Sequence, residues 1–396
     1  MEDRNYVLFD DDCRHHLLPI TFTRPVSELR VGILTLREKW QRSLNAQLSY
    51  LTEDYLSLKY PRVVRELNWL INGSVLPNPR LVAQVAALKC GEALLDGSLL
   101  IAACVPAEQV SYPLNLSRLA EQCSLIAPVS SPRTVRKLTD VITLNEEALR
   151  DDYKMITYRR RSATIYESNK VLNRNDVFIE EGARVEFAFL NASQGPIYIG
   201  KDAEIMEGAM IRGPVAFGAG SVVKMGAKIY GPTSIGPRCV VGGEVNSSVM
   251  IGYSNKAHDG FLGHAIIGEW CNLGADSNNS NLKNDYGEVK LWNYATQSFE
   301  RTGLQFFGLV MGDHSKCGIN TMFNTGTVVG VFVNVFGAAF PRNFIPSFSW
   351  GGASGFTEYK IEKALEVARR VMARRQVELS AADEAILRHI AGLQVK

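Results

Sequence analysis

An apolar residue recurs at every sixth position through the middle of this chain, and this spacing constrains the fold more than any other feature. The first uninterrupted run comprises Ile199, Ile205, Ile211, Phe217, Val223, Ile229, Ile235 and Val241. Because 46% of the residues are hydrophobic, eight in a row arise by chance in about two of a thousand trials. Four residues after each of them comes a small or β-branched residue: Ala203, Ala209, Val215, Ser221, Ala227, Thr233, Cys239 and Val245. Two coincident patterns indicate a repeating structure.

A period of six excludes a single helix or a single strand. In an α-helix, six steps of about 100° scatter the apolar residues over three directions instead of one stripe. The pattern instead suits a chain that runs straight, points one large side chain inward, turns through a small residue and repeats. We therefore predict a parallel β-helix of hexapeptide repeats over residues 175–346, with about nine coils and a length of about 45 Å at about 4.8 Å per layer. The same phase returns at Ile251, Ile267, Leu273, Met311, Cys317, Phe323, Val329 and Val335.

Glycine often follows the large apolar residue of a hexad. The chain has 33 glycines beside only 15 prolines, and the glycines in this position are Gly200, Gly218, Gly236 and Gly242. Many of the glycines therefore mark the repeat.

The repeat is interrupted once and is followed by a tail. Hexad phase is lost between Asn279 and about Leu309, where the sequence is polar and turn-rich, so we expect a loop of about 30 residues to leave the prism. Residues 357–376 predict an amphipathic helix, and Ser380 and Asp383 suggest the N-terminal cap of a second one. This tail either covers the open end of the β-helix, which protects its edge from pairing, or has a binding role of its own.

The first 150 residues alternate short apolar runs with helical patterns, which predicts an α/β layer fold. The predicted strands are 6–9, 47–51, 74–76, 98–103 and 141–144, and the predicted helical stretches are 28–44 and 79–91, the latter with Gly91 as its C-cap. Three domains follow: an α/β domain at 1–155, the β-helix at 165–350 and a helical tail at 356–396.

Charge and the chain's termini narrow the class of protein. A net charge of +2 offers no bulk attraction to nucleic acid or to an anionic membrane. The start of the sequence lacks the pattern of a secretory signal, and the longest apolar stretch, 328–340, is shorter than the roughly 18 residues of a membrane span, so we expect a cytoplasmic protein. The seven cysteines are scattered and include no C-x-x-C pair, which argues against a disulfide framework and a zinc site and suggests buried thiols.

The segment 255–281 carries the most specific motif. A histidine, His258, stands three residues before an aromatic-Leu-Gly step at 261–263, followed by Asn272-Leu273-Gly274-Ala275 and, nine residues after Asn272, by Asn281. This spacing resembles the acetyltransferase half of the bifunctional N-acetylglucosamine-1-phosphate uridylyltransferase/glucosamine-1-phosphate N-acetyltransferase family. The resemblance implies a left-handed β-helix, acetyl-CoA as co-substrate, a sugar phosphate as acceptor, and a homotrimer with active sites between neighbouring prisms.

The chemistry explains why such residues would be needed. Acetyl transfer to an amine requires a neutral amine, and a histidine can take its proton, so we predict His258 as general base. Asn272 and Asn281 would orient the sugar and the imidazole, and N–H groups of Gly274 and Ala275 would face the thioester oxygen. We expect His264 to be structural or solvent-facing, and Asn278, Asn279 and Asn284 to serve the turns and ladders of the coils.

Phosphate-bearing ligands need cations near His258. By hexad phase, the candidates for the sugar phosphate are Lys224, Lys228 and Lys256, with Lys283 as a further one, and those for coenzyme A are Lys316 and Arg342. Most surface lysines are only solvated.

The N-terminal region resembles a sugar-1-phosphate nucleotidyltransferase domain of reduced length. The resemblance rests on Leu18-Pro19-Ile20-Thr21, Arg24-Pro25-Val26 and Asn72-Gly73, and the whole chain resembles an alternative bacterial branch of the bifunctional family. The departure is Asp10-Asp11-Asp12-Cys13-Arg14 in place of a glycine-rich phosphate loop, since carboxylates repel a triphosphate unless Mg²⁺ intervenes.

Two interpretations of this cluster stay open. Asp10 and Asp11 hold a catalytic Mg²⁺ while Arg14 and Arg24 contact the phosphates of UTP, and Asn72 and Gly73 bind substrate. Alternatively, the cluster caps a turn, and the domain only binds a nucleotide sugar or assists assembly. The chain is thus expected to be a transferase of UDP-N-acetylglucosamine biosynthesis, with acetyl transfer in the β-helix and nucleotidyl transfer in the N-terminal domain, or an acyltransferase only.

Overall fold

The computed structural model describes residues 4–114, 119, 121–128 and 130–393, and the chain divides into two compact units. The first contains the described residues of Met1–Leu29, Leu34–Leu138 and Ala381–His389, and the second those of Arg30–Ile33, Thr139–Ser380 and Ile390–Lys396. The predicted domain boundaries stay predictions.

The first unit is built around a six-stranded mixed sheet. Its strands are β1 (Asn5–Phe9), β2 (Leu48–Leu51), β3 (Leu67–Asn72), β4 (Glu92–Asp96), β5 (Leu99–Pro106) and β6 (Ser124–Ile126), in the order β2-β1-β3-β5-β4-β6. Strand β1 is parallel to both β2 and β3, whereas β5 is antiparallel to β3 and β4. Separate clusters of buried apolar side chains include alternating residues of β1, Tyr6 and Leu8 in one and Val7 and Phe9 in the other. The sheet is therefore a central layer, as an α/β fold requires.

Helices α1 (Leu36–Leu44) and α2 (Pro79–Ala87) connect the strands. Thr35 and Glu38 form a capping box that starts α1, and Asn78 caps α2 with Pro79 in its first turn. Short 3₁₀ turns occupy Asp12–Leu17, Ile20–Phe22, Val26–Glu28, Asp54–Leu56 and Ala107–Gln109. The α/β fold class is confirmed.

Several predicted elements of this region are wrong. Residues 74–76 form no strand, only a bridge from Val75 to Thr134, because the strand is β3, whose buried Asn68 and Asn72 break its apolar pattern. Residues 141–144 lie not in a strand but at the end and just after helix α3 (Leu138–Thr143), which is followed by α4 (Asn145–Thr157). Gly91 is not a C-cap, since Leu88 takes that position.

The second unit is a parallel β-helix with three faces. Strands of the first face are Lys170–Leu172, Phe189–Asn191, Met210–Arg212, Lys228–Tyr230, Glu244–Asn246 and Phe261–Gly263. Strands of the second face are Val177–Ile179, Ile197–Ile199, Val215–Phe217, Thr233–Ile235, Val249–Gly252, Ile266–Glu269, Val310–Met311, Val328–Val329 and Phe344–Ile345. Strands of the third face are Arg184–Val185, Glu204–Ile205, Val222–Val223, Val240–Val241, Asn255–Lys256, Asn272–Leu273, Lys316–Cys317, Asn334–Val335, Ser349–Gly352 and Gly355–Glu358. Nine strands on the second face confirm the predicted nine coils within the described residues.

The interior of the β-helix is the predicted hexad column. All eight residues of the first run are at most 2% exposed and belong to one core cluster. The predicted phase is wrong at Ile251, because the residue that pairs with Ile235 and joins this core is Met250. That coil advances by 15 residues instead of 18, which shifts the register. Ile267, Leu273 and the five later predicted positions lie in the core.

The interruption of the repeat is folded back on the β-helix. It contains an antiparallel hairpin, Lys290–Asn293 with Ser298–Arg301, and Trp292 stacks on Phe344 with ring centroids 4.3 Å apart. Strands Asn278–Asn279 and Met322–Phe323 pair on either side of it along the chain. The segment is therefore an ordered insertion rather than a loop that leaves the prism.

The tail contributes one helix to each unit. Helix α5 (Ile361–Ala373) belongs to the second unit; Val371 near its end and Arg375 just after it line a cavity together with Asn255 and Asn272 of the third face. This position shows that α5 covers a side of the β-helix and not only its open end. Residues Ala381–His389 of helix α6 (Ala381–Gly392) belong to the first unit, where His389 stacks on Tyr55 at 4.1 Å. Among the described residues, no helix has both the length and the apolarity needed to span a membrane.

Candidate functional site

His258 lies on the corner that links the third face to the first. The strand Asn255–Lys256 ends just before it and the strand Phe261–Gly263 begins just after it. Its side chain is exposed, so the imidazole is accessible to a substrate, as a general base must be.

Lys256 lies buried under this corner. Its ammonium group donates to the carbonyl oxygens of His258 and of Asp259, the latter at 2.8 Å, and lies 3.5 Å from that of Gly242. Lys256 is fully buried, and burial lowers its pKa to about 8. The Lys256 ammonium group thus holds the corner that carries His258, and its contact with a substrate phosphate stays a prediction.

Asn281 contacts a different histidine from the one expected. Its Nδ2 lies 2.8 Å from Nδ1 of His264, whose ring stacks on Phe306 with centroids 5.5 Å apart. Burial lowers the pKa of His264, which favours the neutral imidazole. The expected orientation of the His258 imidazole by Asn281 is thus not observed, and His264 has the structural role expected of it.

The neighbouring asparagines serve the backbone. Asn279 donates to the Gly263 carbonyl oxygen and accepts from the Gly263 N–H, both at 2.9 Å, and Asn278 accepts from the Phe261 N–H at 2.8 Å. These bonds fix one coil to the next and confirm the expected ladder role of both residues.

The predicted oxyanion donors differ from each other. The Gly274 N–H donates to the Cys317 carbonyl oxygen of the next coil at 3.1 Å, so in this structure it is engaged by the chain, and its role toward the thioester stays a prediction. A Cβ on Gly274 would lie 2.5 Å from the backbone of Gly318, which explains the glycine. The N–H group of Ala275 is the remaining candidate donor to the thioester oxygen.

Asn272 and Lys316 are brought together in one cavity of about 470 Å³ beside helix α5. Its walls are Tyr253, Asn255, Trp270, Cys271, Asn272, Lys316, Val371, Arg374 and Arg375. Lys316 donates to the His314 carbonyl oxygen at 2.9 Å, and burial lowers its pKa to about 8. Sequence reasoning missed the two arginines, although an Arg-Arg step at the end of an amphipathic helix was a visible signal.

The other predicted cations are dispersed. Lys228 is exposed next to Glu244 on the adjacent strand, and Lys224 is half-buried after the strand Val222–Val223. Arg342 and Lys283 line a second cavity of about 670 Å³ beside the inserted hairpin, where Lys283 pairs with Asp285 at 3.1 Å. Arg342 and Lys316 therefore do not share a site.

In the first unit, Asp10 and Arg14 form a buried ion pair. Arg14 Nη1 lies 3.0 Å from Asp10, and its guanidinium also donates to the carbonyl oxygens of Thr21 and Arg24 and to Tyr55. Asp10 accepts further bonds from Thr52 and from the Val26 N–H. Burial raises the pKa of Asp10, although the charge of Arg14 opposes this. Both side chains are at most 2% exposed, so Arg14 is enclosed together with Asp10, and its contact with nucleotide phosphates stays a prediction.

Asp11 caps the 3₁₀ turn at Asp12–Leu17. It accepts from the Cys13 N–H at 2.9 Å, from Asn72 Nδ2 at 2.9 Å and from Arg136. Burial raises the pKa of Asp11, but these bonds outweigh it and hold the pKa below its usual value. The Asp11, Asn72 and Arg136 side chains lie at the carboxyl ends of β1 and β3, where parallel α/β sheets bind ligands.

The residues at this edge do not fit the predicted magnesium site. The carboxylates of Asp10 and Asp11 are engaged by cations and N–H groups of the chain, and no three His, Cys, Asp or Glu side chains in the described residues come together to hold a metal. Arg24 is 3% exposed, and Gly73 packs so that a Cβ would lie 3.2 Å from the Phe9 carbonyl oxygen. The turn-capping interpretation of the aspartates therefore agrees with the geometry. Arg136 was missed because residues 108–139 show no periodicity.

A further cavity of the first unit lies at the opposite edge of the sheet. It has about 900 Å³ and is lined by Asn5 and Leu48, which start β1 and β2, and by Arg4 and Arg65.

Six of the seven cysteines are buried thiols and Cys90 is exposed. Burial raises the pKa of Cys239 to about 12, and that of Cys271 rises for the same reason, so these thiols are not activated nucleophiles.

Comparison with known proteins gives matches to sugar-phosphate transferases. Residues 6–161 match the family model described as sugar nucleotidyl transferase. The bifunctional protein GlmU of Methanocaldococcus jannaschii is 31% identical over 127 residues, which are 32% of this chain and 26% of that protein. The bifunctional sugar-1-phosphate nucleotidylyltransferase/acetyltransferase of Sulfurisphaera tokodaii is 31% identical over 217 residues, 53% of each chain.

These alignments have limited extent. The matched part of this chain spans only about a quarter to a half of the length of these two relatives. A solved structure of Arabidopsis UDP-N-acetylglucosamine acyltransferase aligns over 54% of this chain and 80% of its own, with 16% identity and a TM-score of 0.26. The assignment of the β-helix fold therefore depends on the pairing of its own strands and not on this likeness. Residues 6–161 thus match the sugar nucleotidyl transferase family model, and 53% of the chain is similar to a bifunctional sugar-1-phosphate nucleotidylyltransferase/acetyltransferase.

Proposed function

We propose that the β-helix transfers an acetyl group from acetyl-CoA to the amino group of an amino-sugar 1-phosphate such as glucosamine 1-phosphate. The observation that carries this proposal is the exposed His258 on a corner held from below by Lys256, with the motif residues Asn272 and Asn281 on the following turns. The name of the Sulfurisphaera tokodaii relative, which includes an acetyltransferase, supports it.

The reaction needs one base and one anion-stabilising group. The amine nitrogen attacks the thioester carbonyl carbon and gives its proton to His258, so the C–N bond forms as the carbonyl oxygen becomes negative. The N–H of Ala275 is our candidate to stabilise that oxygen. The C–S bond then breaks, and the proton held by the imidazole passes to the leaving thiolate. Asn272 is our candidate to hold the sugar.

A homotrimer completes this proposal. The resemblance implies active sites between neighbouring prisms, and the dispersed Lys228 and Arg342 would then contribute to sites shared with other copies. We expect the protein to act on its substrates in the cytoplasm.

A second candidate function is nucleotidyl transfer from UTP to the sugar 1-phosphate by the N-terminal unit. The match of residues 6–161 to the sugar nucleotidyl transferase family favours it. Any Mg²⁺ would have to be held otherwise than by Asp10 and Asp11. If the unit is not catalytic, it binds a nucleotide sugar or assists assembly.

Replacement of the base tests the proposed acetyl transfer. We expect His258→Ala to lower the rate of thiol release from acetyl-CoA, with glucosamine 1-phosphate as acceptor, by about 10²- to 10⁴-fold. His15→Ala, which changes an exposed histidine of the first unit, is the control and should turn over at the wild-type rate. Wild-type turnover by His258→Ala with an unchanged circular dichroism spectrum would remove His258 as the base.

A further inference from the structure

The cavity beside helix α5 concentrates positive charge without a carboxylate. Lys316, Arg374 and Arg375 line it, and none of its nine described lining residues is Asp or Glu. Elsewhere on the same helix, by contrast, Arg370 pairs with Glu366. Three cations that share a cavity repel one another unless an anion joins them.

The polar groups of the cavity form a chain of donors. Arg375 donates to Asn255 Oδ1 at 2.8 Å, and Asn255 Nδ2 donates to Asn272 Oδ1 at 3.4 Å. Because each carboxamide oxygen accepts from the preceding group, the chain ends on the N–H₂ group of Asn272. An ammonium group has three N–H donors, and Lys316 uses one of them on the His314 carbonyl oxygen. The cavity thus presents donors to a ligand rather than acceptors.

Stacked aromatic rings form the wall behind these donors. Tyr253 and Trp270 occupy the corner between the second and third faces with φ of 52° and 62°, values that bulky side chains rarely adopt. Their rings stack at 4.3 Å, and the same corner continues through His314 and Phe332, whose rings stack at 4.9 Å. Since each ring is covered by the next, this column of rings forms a wall of the cavity. The groups that can bind a ligand are therefore the polar ones.

We propose that this cavity binds the phosphate group of a phosphate monoester, with Arg374, Arg375 and Lys316 as its cationic partners and the Asn272 amide as a donor to the ester's body. Guanidinium groups suit phosphate oxygens because their N–H groups are planar and paired. A volume of about 470 Å³ exceeds what inorganic phosphate fills. The inference rests on the proposed function for the choice of two ligands, a sugar 1-phosphate and the 3′-phosphate of coenzyme A.

Calorimetric titration of the full chain at pH 7 tests this site without turnover. The ligands are glucosamine 1-phosphate against glucosamine, and coenzyme A against dephospho-coenzyme A. The variant Arg374→Gln/Arg375→Gln is compared with the matched control Arg369→Gln/Arg370→Gln, which removes the same charge from helix α5 itself, outside the cavity. We expect the first pair of substitutions to weaken one phosphate ester at least tenfold, the control to bind as wild type, and the ligand without that phosphate to show no difference.

The two ligand pairs identify the source of the phosphate. A loss confined to glucosamine 1-phosphate assigns the site to the acceptor, and a loss confined to coenzyme A assigns it to the acetyl donor. If the double variant fails to fold, Lys316→Met must show the same loss. Wild-type affinity for both esters in the folded cavity variants would overturn the proposal. A protein that binds but does not acetylate would contradict the proposed function and leave this site standing.

Discussion

Two buried cations of this protein, Lys256 and Arg14, hold backbone carbonyl groups or a neighbouring carboxylate. Lys256 and Arg14 both stand where the sequence motifs suggest phosphate contacts, yet Lys256 donates to carbonyl oxygens of the His258 corner and Arg14 is enclosed with Asp10. Residue type and hexad phase predict that a cation is present on a given turn. They do not predict its target, because the side chain can reach inward to a carbonyl group as well as outward.

The exposed position of His258 could be expected from the motif, whereas the His264–Asn281 contact depends on how two separate coils stack.

The substitution Lys256→Met tests the role of this buried ammonium group. Loss of the donor leaves carbonyl groups buried without it, so we expect the free energy of unfolding at pH 7 to fall by about 1–3 kcal/mol, and acetyl transfer to slow as the His258 corner loosens. Urea unfolding measures the first effect. An unchanged midpoint would contradict this role.

The same substitution has a pH signature. Burial lowers the pKa of Lys256 from 10.5 to about 8, so between these pH values the unfolded chain binds a proton that the folded protein has released. The contribution of the Lys256 titration to the free energy of unfolding of the wild type therefore rises between pH 8 and pH 10.5. It is lost as the pH falls through 8. Urea unfolding across this pH range gives the difference in the free energy of unfolding between wild type and Lys256→Met. This difference should increase with pH, because the titration of Lys316 is common to both proteins and cancels. A pH-independent difference would show that Lys256 keeps its proton.

At the scale of elements, the β-helix was predictable because each coil repeats the same local requirements, whereas the sheet of the first unit depends on distant partners. Strand β3 contains buried asparagines that mask its apolar pattern, and the antiparallel hairpin at residues 290–301 has no hexad signal. The glycines after large apolar residues have a steric reason: a Cβ on Gly200, Gly218, Gly236 or Gly242 would lie within 2.8 Å of the next coil's backbone. Coil spacing, rather than a left-handed φ, requires them.

Two glycine substitutions separate these requirements. In Gly236→Ala the new Cβ would lie 1.9 Å from the Ile251 carbonyl oxygen, whereas at Gly226, with φ of 69°, nothing lies within 4 Å. We expect Gly236→Ala to cost about 3 kcal/mol or more because two coils must separate, and Gly226→Ala to cost only about 1 kcal/mol for its backbone conformation. Equal urea midpoints for the two variants would contradict the coil-spacing explanation.

At the scale of the whole molecule, two units support two candidate functions to different degrees. The N-terminal unit has the family match, but its aspartates at the carboxyl edge of β1 are engaged by Arg14 and Arg136. The β-helix has the accessible histidine and a cationic cavity on its third face. Motif spacing alone suggested both activities. The difference between them follows from side-chain contacts that join residues up to 125 positions apart, and no local pattern encodes such contacts.

The most direct measurement incubates the full chain with acetyl-CoA, glucosamine 1-phosphate, UTP and Mg²⁺, and follows free thiol and pyrophosphate separately. Acetyl transfer by the β-helix predicts thiol release that depends on the amino sugar and does not require UTP. Pyrophosphate release in addition would establish nucleotidyl transfer by the first unit, and thiol release alone would leave that unit a binding or assembly module. No amino-sugar-dependent thiol release by folded protein would contradict acetyl transfer to this substrate.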